Sequence, residues 1–366
     1  MNPTIRIFAI FWSVFVASIA SAADYPAPTE ADFTIRDFKF ASGETLPELR
    51  IHYLTLGRPE TQSRGAENPR IVNAVLILHG TGGSGSQFLS PLFAAELYGA
   101  GQPLDTATHY LILPDGIGHG RSAKPSDGLR ARFPHYAYED MIAAQYRLVS
   151  EGLHVSHLLL VMGTSMGCMH SCLWGERHPD FMDGLVPLAC IPTQIAGRNR
   201  MWRKLVIDDI MQDPDWKGGE YTTQPRGLRA ALQLLFIAGS APLVQQRLGP
   251  TRDSADAYIS HWLDGRLAES DANDLLYQVS ASRDYDPSPA LDRITVPVLA
   301  INSADDFINP PELGLMERLI PQVKRARYVL IPTSERTRGH GTHTAAAVWK
   351  EYFAPFVASL EHRAAR

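Results

Sequence analysis

The stretch "HLLLVMGTSMGCMHS", residues 157–171, decides how this chain folds. It opens as a short apolar run and closes as helix-compatible sequence, and between the two a single serine, Ser165, is flanked by Gly163 and Gly167. A strand that turns at once into a helix leaves no room for side chains at the bend, which accounts for the glycines. The residue at the apex is driven towards positive φ with its side chain held out, and the new helix aims its N-terminal dipole and free N–H groups at whatever that side chain binds. The five-residue pattern G-x-S-x-G is weak by itself; set between a strand and a helix it is the nucleophile elbow, with Ser165 as candidate nucleophile.

The remaining apolar runs fit the same architecture. "AVLIL" (74–78), "YLILP" (110–114), "GLVPLAC" (184–190), "VPVLAIN" (296–302) and "RYVLIP" (327–332) are short and continuously apolar, as strands buried on both faces of a parallel sheet are. Amphipathic segments such as "YEDMIAAQYRLVSEGL" (138–153) and "TAAAVWKEYFAPFVASL" (344–360) separate several of them. Upstream, "FTIRDFKF" (33–40) and "ELRIHYLTLG" (48–57) alternate and read as an antiparallel pair. The pattern predicts an α/β fold with a mostly parallel, doubly wound sheet. From Thr193 to Pro287 no strand-like run occurs, so 193–287 is expected to be a helical cap inserted into a core made of 23–192 and 288–366. Its apolar stretch "LQLLFIAGSAPLV" (232–244) is expected to pack on the sheet rather than to line an acyl pocket.

A serine hydroxyl needs a base to remove its proton, and the base needs a carboxylate to orient it. In this architecture the order along the chain is serine, acid, histidine. The acid is expected in "SADDFINPPE" after "VPVLAIN", where Asp306, with Pro310 four residues on, is favoured over Asp305. The base is expected in "TSERTRGHGTHT" after the last strand, where His340, beside Gly339, is favoured over His343. Two backbone donors for a developing oxyanion are expected at Met166, just after the nucleophile, and at Thr81 in "HGTGG" (79–83). That loop lacks both the ending of a phosphate-binding P-loop and dinucleotide glycine spacing.

Composition narrows the partners. The 366 residues carry 34 basic and 39 acidic side chains, a net charge of −5, with neither sign dominating any long stretch; nucleic acid and acidic membranes are therefore poor partners. No Cys/His cluster has metal-ligand spacing, and no cofactor is called for. Residues 1–22, "MNPTIRIFAIFWSVFVASIASA", carry Arg6, a short apolar run and a closing Ala-Ser-Ala, which is the layout of a secretory signal cleaved after Ala22. The mature chain is then expected to be a secreted or periplasmic protein with no membrane span. Of the three cysteines, Cys168 and Cys172 sit four apart on one expected helix, where a mutual bridge is awkward. All three, Cys190 included, are read as small buried apolar residues, and an odd count leaves at least one thiol free.

With these residues placed, the chain resembles the α/β-hydrolase superfamily and, within it, the homoserine O-acetyltransferase-like family. The likeness runs from about residue 33 to 358 through "LRIHYLTLG", "LDTATHYLILPDGIGHGRS", "FPHYAYEDMIAAQYRLVSEGL", "DPDWKGGEY" (213–221) and "DANDLLYQVSASRDYD" (271–286). The resemblance implies a Ser165–Asp306–His340 triad and a ping-pong route through an acyl-serine. Two positions depart from members that act on homoserine. Ile207 stands where they carry an arginine for the substrate carboxylate, and Gly341 where they carry an aspartate for its amine. Losing both would leave two charges of an amino acid unpaired in a closed site, a penalty of several kcal/mol. Thr164 and Cys168 replace glycines of the family's elbow and are expected to reshape the pocket floor. Acetyl-CoA is a cytoplasmic cosubstrate, so for an exported enzyme water is the acceptor at hand. The sequence therefore reads first as a secreted serine hydrolase taking a small-molecule ester or related acyl substrate, second as an O-acyltransferase, and third as a non-catalytic binding protein on a hydrolase scaffold. No motif specifies an oligomer.

Overall fold

The computed structural model describes residues 25–62 and 70–364; the expected secretory segment, 1–22, lies outside them. Eight strands form one sheet: β1 (Thr29–Lys39), β2 (Thr45–Leu56), β3 (Ala74–Leu78), β4 (Tyr110–Pro114), β5 (Leu160–Thr164), β6 (Leu185–Leu188), β7 (Val298–Ser303) and β8 (Ala326–Ile331). Their spatial order is β1-β2-β4-β3-β5-β6-β7-β8. Only the pairings made by β2 are antiparallel; Val75↔Leu160 and Val161↔Leu185 are typical of the parallel register in the centre. The expected hairpin is present, with Phe33 opposite Ile51.

The continuous apolar runs follow from having two covered faces. In β3, Ala74, Leu76 and Leu78 enter one core while Val75 and Ile77 enter the other. The first core packs against α2 (Tyr138–Arg147) and α3 (Met166–Arg177), where Met141, Met169, Leu173 and Trp174 are buried. The second packs against α1 (Pro91–Leu97) and the C-terminal helix, where Phe93, Leu97, Trp349, Phe353 and Val357 are buried. Trp349, Phe353 and Val357 recur every four residues, so one helical stripe contributes about 1.5–3 kcal/mol per side chain to that face.

Between β6 and β7 the chain leaves the sheet for α4 (Gly197–Met211), α5 (Arg226–Gly239), α6 (Pro242–Leu248), α7 (Arg252–Glu269) and α8 (Ala272–Ser280). Helices α4, α5, α7 and α8 share an apolar cluster of their own, including Val206, Ile210, Leu228, Leu232, Leu263 and Val279. They are tied to the loops at the carboxyl edge of the sheet: Tyr277 Oη donates to Phe133 O (2.9 Å), Gln278 Nε2 to Gly118 O (2.7 Å) and Ser126 Oγ to Asp274 Oδ2 (2.6 Å). The chain then returns through β7, the short α9 (Leu315–Leu319) and β8 to α10 (Ala346–Ala364). Among the described residues no single helix is long and apolar enough to cross a membrane.

Two expectations need correction. Residues 232–244 do not pack on the sheet: Leu232 is buried in the helical cluster, while Ile237 and Leu243 stand exposed and line a cavity. A helix in a layer of its own partners its neighbours and leaves its other face for solvent or ligand. The cysteines are not all free, either. Cys168 and Cys190 form a disulfide across 22 residues, and Cys172 is the buried free thiol, pushed up to about 12 mainly by burial.

Candidate active site

Ser165 sits at the junction of β5 and α3 with φ 55° and ψ −111°, a conformation L-residues rarely hold. The two glycines permit it by vanishing. A Cβ on Gly163 would lie 2.1 Å from the Gly167 carbonyl oxygen, and one on Gly167 would lie 1.9 Å from that of Leu78. The strand, the helix and the neighbouring strand β3 therefore meet backbone to backbone, and Ser165 N–H is fixed to Leu188 O at 2.9 Å.

The three expected side chains, from three separate loops, stand in one hydrogen-bonded line. His340 Nε2 lies 2.8 Å from Ser165 Oγ, and His340 Nδ1 lies 2.9 Å from Asp306 Oδ2. With Asp306 ionised, Nδ1 carries the ring proton and Nε2 is left free to accept the serine's. The Asp306 carboxylate is fully satisfied: Oδ1 accepts from Ile308 N (2.8 Å) and Asn309 N (3.2 Å), and Oδ2 accepts from His340 Nδ1 and Asn309 Nδ2 (3.0 Å). Burial works to raise its pKa, but the His340 charge and hydrogen bond, then the Asn309 donors, outweigh it and hold the acid below its ordinary value.

The alternatives in each pair have other work. Asp305 accepts from Gly339 N at 2.9 Å and is bonded to Ser303 Oγ, so it anchors the loop that delivers His340. His343 lies edge-on to His340, 5.1 Å between ring centres. Burial, followed by the His340 charge, pushes it down to about 3, so it is neutral at any working pH.

The loop 79–83 lies against Ser165. A Cβ on Gly80 would be 3.3 Å from Ser165 Cβ and 3.8 Å from its Oγ, which brings the Gly80–Thr81 backbone beside the hydroxyl. Met166 is the first residue of α3, where amide N–H groups have no partner within the helix. His79 pins the loop from behind: its Nδ1–H donates to Gly80 O (2.8 Å) and its Nε2 accepts from Gly116 N (2.9 Å). Asp115 braces the adjoining turns, accepting from Gly85 N and Arg121 N, each at 2.7 Å. Sequence reasoning passed over His79, Asp115 and Asn309. The only signal was position, since each lies within four residues of an expected site residue or directly after a buried strand. Thr164 and Cys168 do not face an open floor: the first is fully buried with its hydroxyl accepting from Gln87 Nε2 (3.1 Å), and the second is in the disulfide.

Beside Asp306 is a cavity of about 1180 Å³. Met169, Asp306 and Asn309 line it on the core side, Ile195 and Arg198 at the start of the inserted helices, and Leu243 at the α5–α6 corner. That corner rests directly on the histidine loop. At Gly339, with φ +59°, a Cβ would meet Ser240 O at 2.9 Å and Ala241 Cβ at 3.0 Å. Across the cavity, Arg198 Nη2 donates to Phe307 O (2.6 Å), with the guanidinium 3.4 Å above the Phe307 ring centre.

The chain belongs to the alpha/beta hydrolase fold family, whose profile matches residues 73–336, and within it to the homoserine O-acetyltransferase-like group. It is 29% identical to the homoserine O-acetyltransferase of Pelobacter propionicus, an alignment covering 90% of this chain and 95% of that one. The solved structure of esterase E22 superposes with a TM-score of 0.78 at 19% identity, covering 90% of this chain and all of that one (100%). That of a homoserine O-acetyltransferase from Bacillus anthracis gives 0.78 at 20% identity, covering 91% and 98%. Both kinds of protein share this fold equally well, so the choice between them rests on the site.

Proposed function

We propose that this chain is an exported serine hydrolase that cleaves a carboxylic ester or closely related acyl bond. The observation that carries the reading is the continuous line Asp306–His340–Ser165, with both contacts of the imidazole inside 3 Å. Ser165 Oγ attacks the acyl carbon as His340 Nε2 takes its proton, and Asp306 stabilises the imidazolium that forms. The Met166 and Thr81 N–H groups hold the oxyanion, a contribution of about 3–4 kcal/mol per well-placed donor. His340 returns the proton to the leaving alkoxide, and water then repeats the sequence on the acyl-serine. The helices of 193–287 serve as a cap, while the cavity that Asp306 lines is not lined by Ser165 or His340. Export is supported by the layout of residues 1–22 and by the Cys168–Cys190 disulfide, a bond that persists in oxidising compartments such as the periplasm.

The relatives' names favour a second reading, transfer of the acyl group to a hydroxyl acceptor. Against homoserine as that acceptor, Ile207 is an apolar side chain packed on the helical cluster, and Gly341 presents no charge. The test is direct. Purified mature protein is treated with a fluorophosphonate probe and assayed on p-nitrophenyl esters of increasing acyl length, with and without acetyl-CoA and candidate alcohols. The hydrolase reading expects labelling at Ser165, ester turnover abolished by Ser165→Ala, and no alcohol-dependent release of CoA. Fast alcohol-dependent CoA release would establish the transferase instead. An unlabelled serine with no turnover would leave a binding protein on this scaffold.

A further inference from the structure

Cys168 is in the first turn of α3, three residues after Ser165, and Cys190 follows the last strand residues of β6; their Cα atoms are 5.8 Å apart. Between Cys190 and that strand, Ala189 has φ 65°, a strained setting for a residue with a side chain. Three bonds hold this turn besides the disulfide. Ala189 N donates to Ile301 O (2.9 Å), Asn302 Nδ2 donates to Cys190 O (3.0 Å), and Asn309 Nδ2 donates to Ala189 O (2.9 Å). The same Asn309 nitrogen gives its other hydrogen to Asp306 Oδ2 at 3.0 Å.

Traced in order, these contacts close a ring. It runs from Ser165 along the helix to Cys168, through the disulfide to Cys190 and Ala189, across to Asn309 and Asp306, and back through His340 to Ser165. Ser165 and Asp306 lie on different loops, and this ring joins them without passing through the imidazole, in parallel with the shorter route from Ser165 N through Leu188 O to Ala189. All of its polar members are buried or nearly so, where water cannot substitute for a lost partner.

We propose that the Cys168–Cys190 disulfide and Asn309 are positioning residues: the disulfide fixes the strained Ala189 turn, whose carbonyl aims the Asn309 carboxamide, which aims Asp306 at His340. The proposal rests on the hydrolase reading above. It also makes the activity dependent on the redox state of one bond. A small-molecule dithiol opens that bond by thiol–disulfide exchange: its thiolate attacks one sulfur, a mixed disulfide forms, and its second thiol displaces it. Two electrons and two protons pass to the cysteines, and the dithiol leaves as a cyclic disulfide.

The test compares wild type, Asn309→Ala and the double variant Cys168→Ala/Cys190→Ala, each assayed on p-nitrophenyl acetate well below its own melting temperature. Wild-type protein is also measured after folding, then after dithiothreitol with thiol quantitation, and again after reoxidation. The expected result is a 10- to 100-fold fall in kcat for both variants and for reduced wild type, KM within about threefold, and recovery on reoxidation. The pH profile of kcat/KM moves in each variant. Combining all three substitutions costs at most about threefold more than the worse variant, because both act through one ring. A disulfide-free protein with unchanged kcat and pH profile and only a lower melting temperature would overturn the proposal, as would losses that multiply in the combined variant. Absent wild-type turnover and absent Ser165 labelling would instead bring down the hydrolase reading itself.

Discussion

Replacing Asp306 by asparagine exchanges one carboxylate oxygen for NH₂ and removes the charge at nearly constant volume, and the surrounding donors leave it no good arrangement. The carboxylate accepts four hydrogen bonds, two on each oxygen. An amide has one accepting oxygen. If that oxygen stays with the Ile308 and Asn309 backbone donors, the new NH₂ points at His340 Nδ1 and at the Asn309 amide hydrogen. His340 must then accept at Nδ1 and carry its proton on Nε2, facing Ser165, where it can no longer take the hydroxyl's proton. If the amide is reversed, two buried backbone donors are orphaned at about 1–3 kcal/mol each. The first arrangement keeps the loop and loses the chemistry. The expected loss is about 10⁴-fold in kcat, or ~5.4 kcal/mol of transition-state stabilisation, as follows when a triad histidine is held in the wrong tautomer. The assay is turnover of p-nitrophenyl acetate by Asp306→Asn, with circular dichroism to confirm the fold and Asp305→Asn as comparator. The comparator leaves one accepting oxygen to serve both Gly339 N and Ser303 Oγ and should lose no more than about tenfold. A folded Asp306→Asn protein retaining over a tenth of wild-type kcat would refute the assignment of the acid.

Other expectations follow from packing and charge. Gly167→Ala drives a Cβ into the Leu78 carbonyl and should destabilise the fold by about 3 kcal/mol, read as a drop in the urea midpoint; an unchanged midpoint would show that the elbow is looser than its contacts indicate. His170 and His343 are each pushed down to about 3, first by burial and then by neighbouring histidine charge. Between pH 6.5 and 3 the unfolded chain binds protons that the folded one refuses, so the stability these residues support above pH 6.5 drains away as pH falls. Each contributes a slope of about 1.4 kcal/mol per pH unit, and His343→Leu should flatten the measured slope by that amount. Glu176 shows the opposite dependence, its pKa raised to about 8 chiefly by burial. The folded state favours its protonated form, so stability falls as pH rises from about 4 to 8, and Glu176→Gln should raise the melting temperature at pH 9 while leaving it unchanged at pH 4.

How much of this was legible before folding differs from element to element. "AVLIL" and "YLILP" coincide with β3 and β4 because a strand covered on both faces must be apolar throughout its paired length. "HLLLV" was offset: β5 runs from Leu160 to Thr164, since its pairing with β3 starts at Leu160 and the turn at Ser165 demands extended backbone up to its edge. Chain order and strand ends restrict the proposed serine, acid and histidine to a few positions, and Ser165, Asp306 and His340 are brought together in one hydrogen-bonded line. The disulfide was not, for the proximity of Cys190 to the first turn of α3 is created by the β5–β6 pairing, and a gap of 22 residues carries no trace of it. Asn309 was hidden similarly. One of its two partners, Ala189, is 120 residues away, and an asparagine near a turn reads like any other.

The contact at Gly339 bears on how such enzymes can be rebuilt. The α5–α6 corner and the base-bearing loop touch through a glycine that tolerates nothing larger. A chimera that borrowed helices 193–287 from a relative to acquire new specificity would inherit that relative's corner, and with it a different height for the imidazole. Grafts into this scaffold should therefore travel with residues 338–341 as a unit, and those that do not will shift His340 away from Ser165 even when the new binding chamber forms correctly.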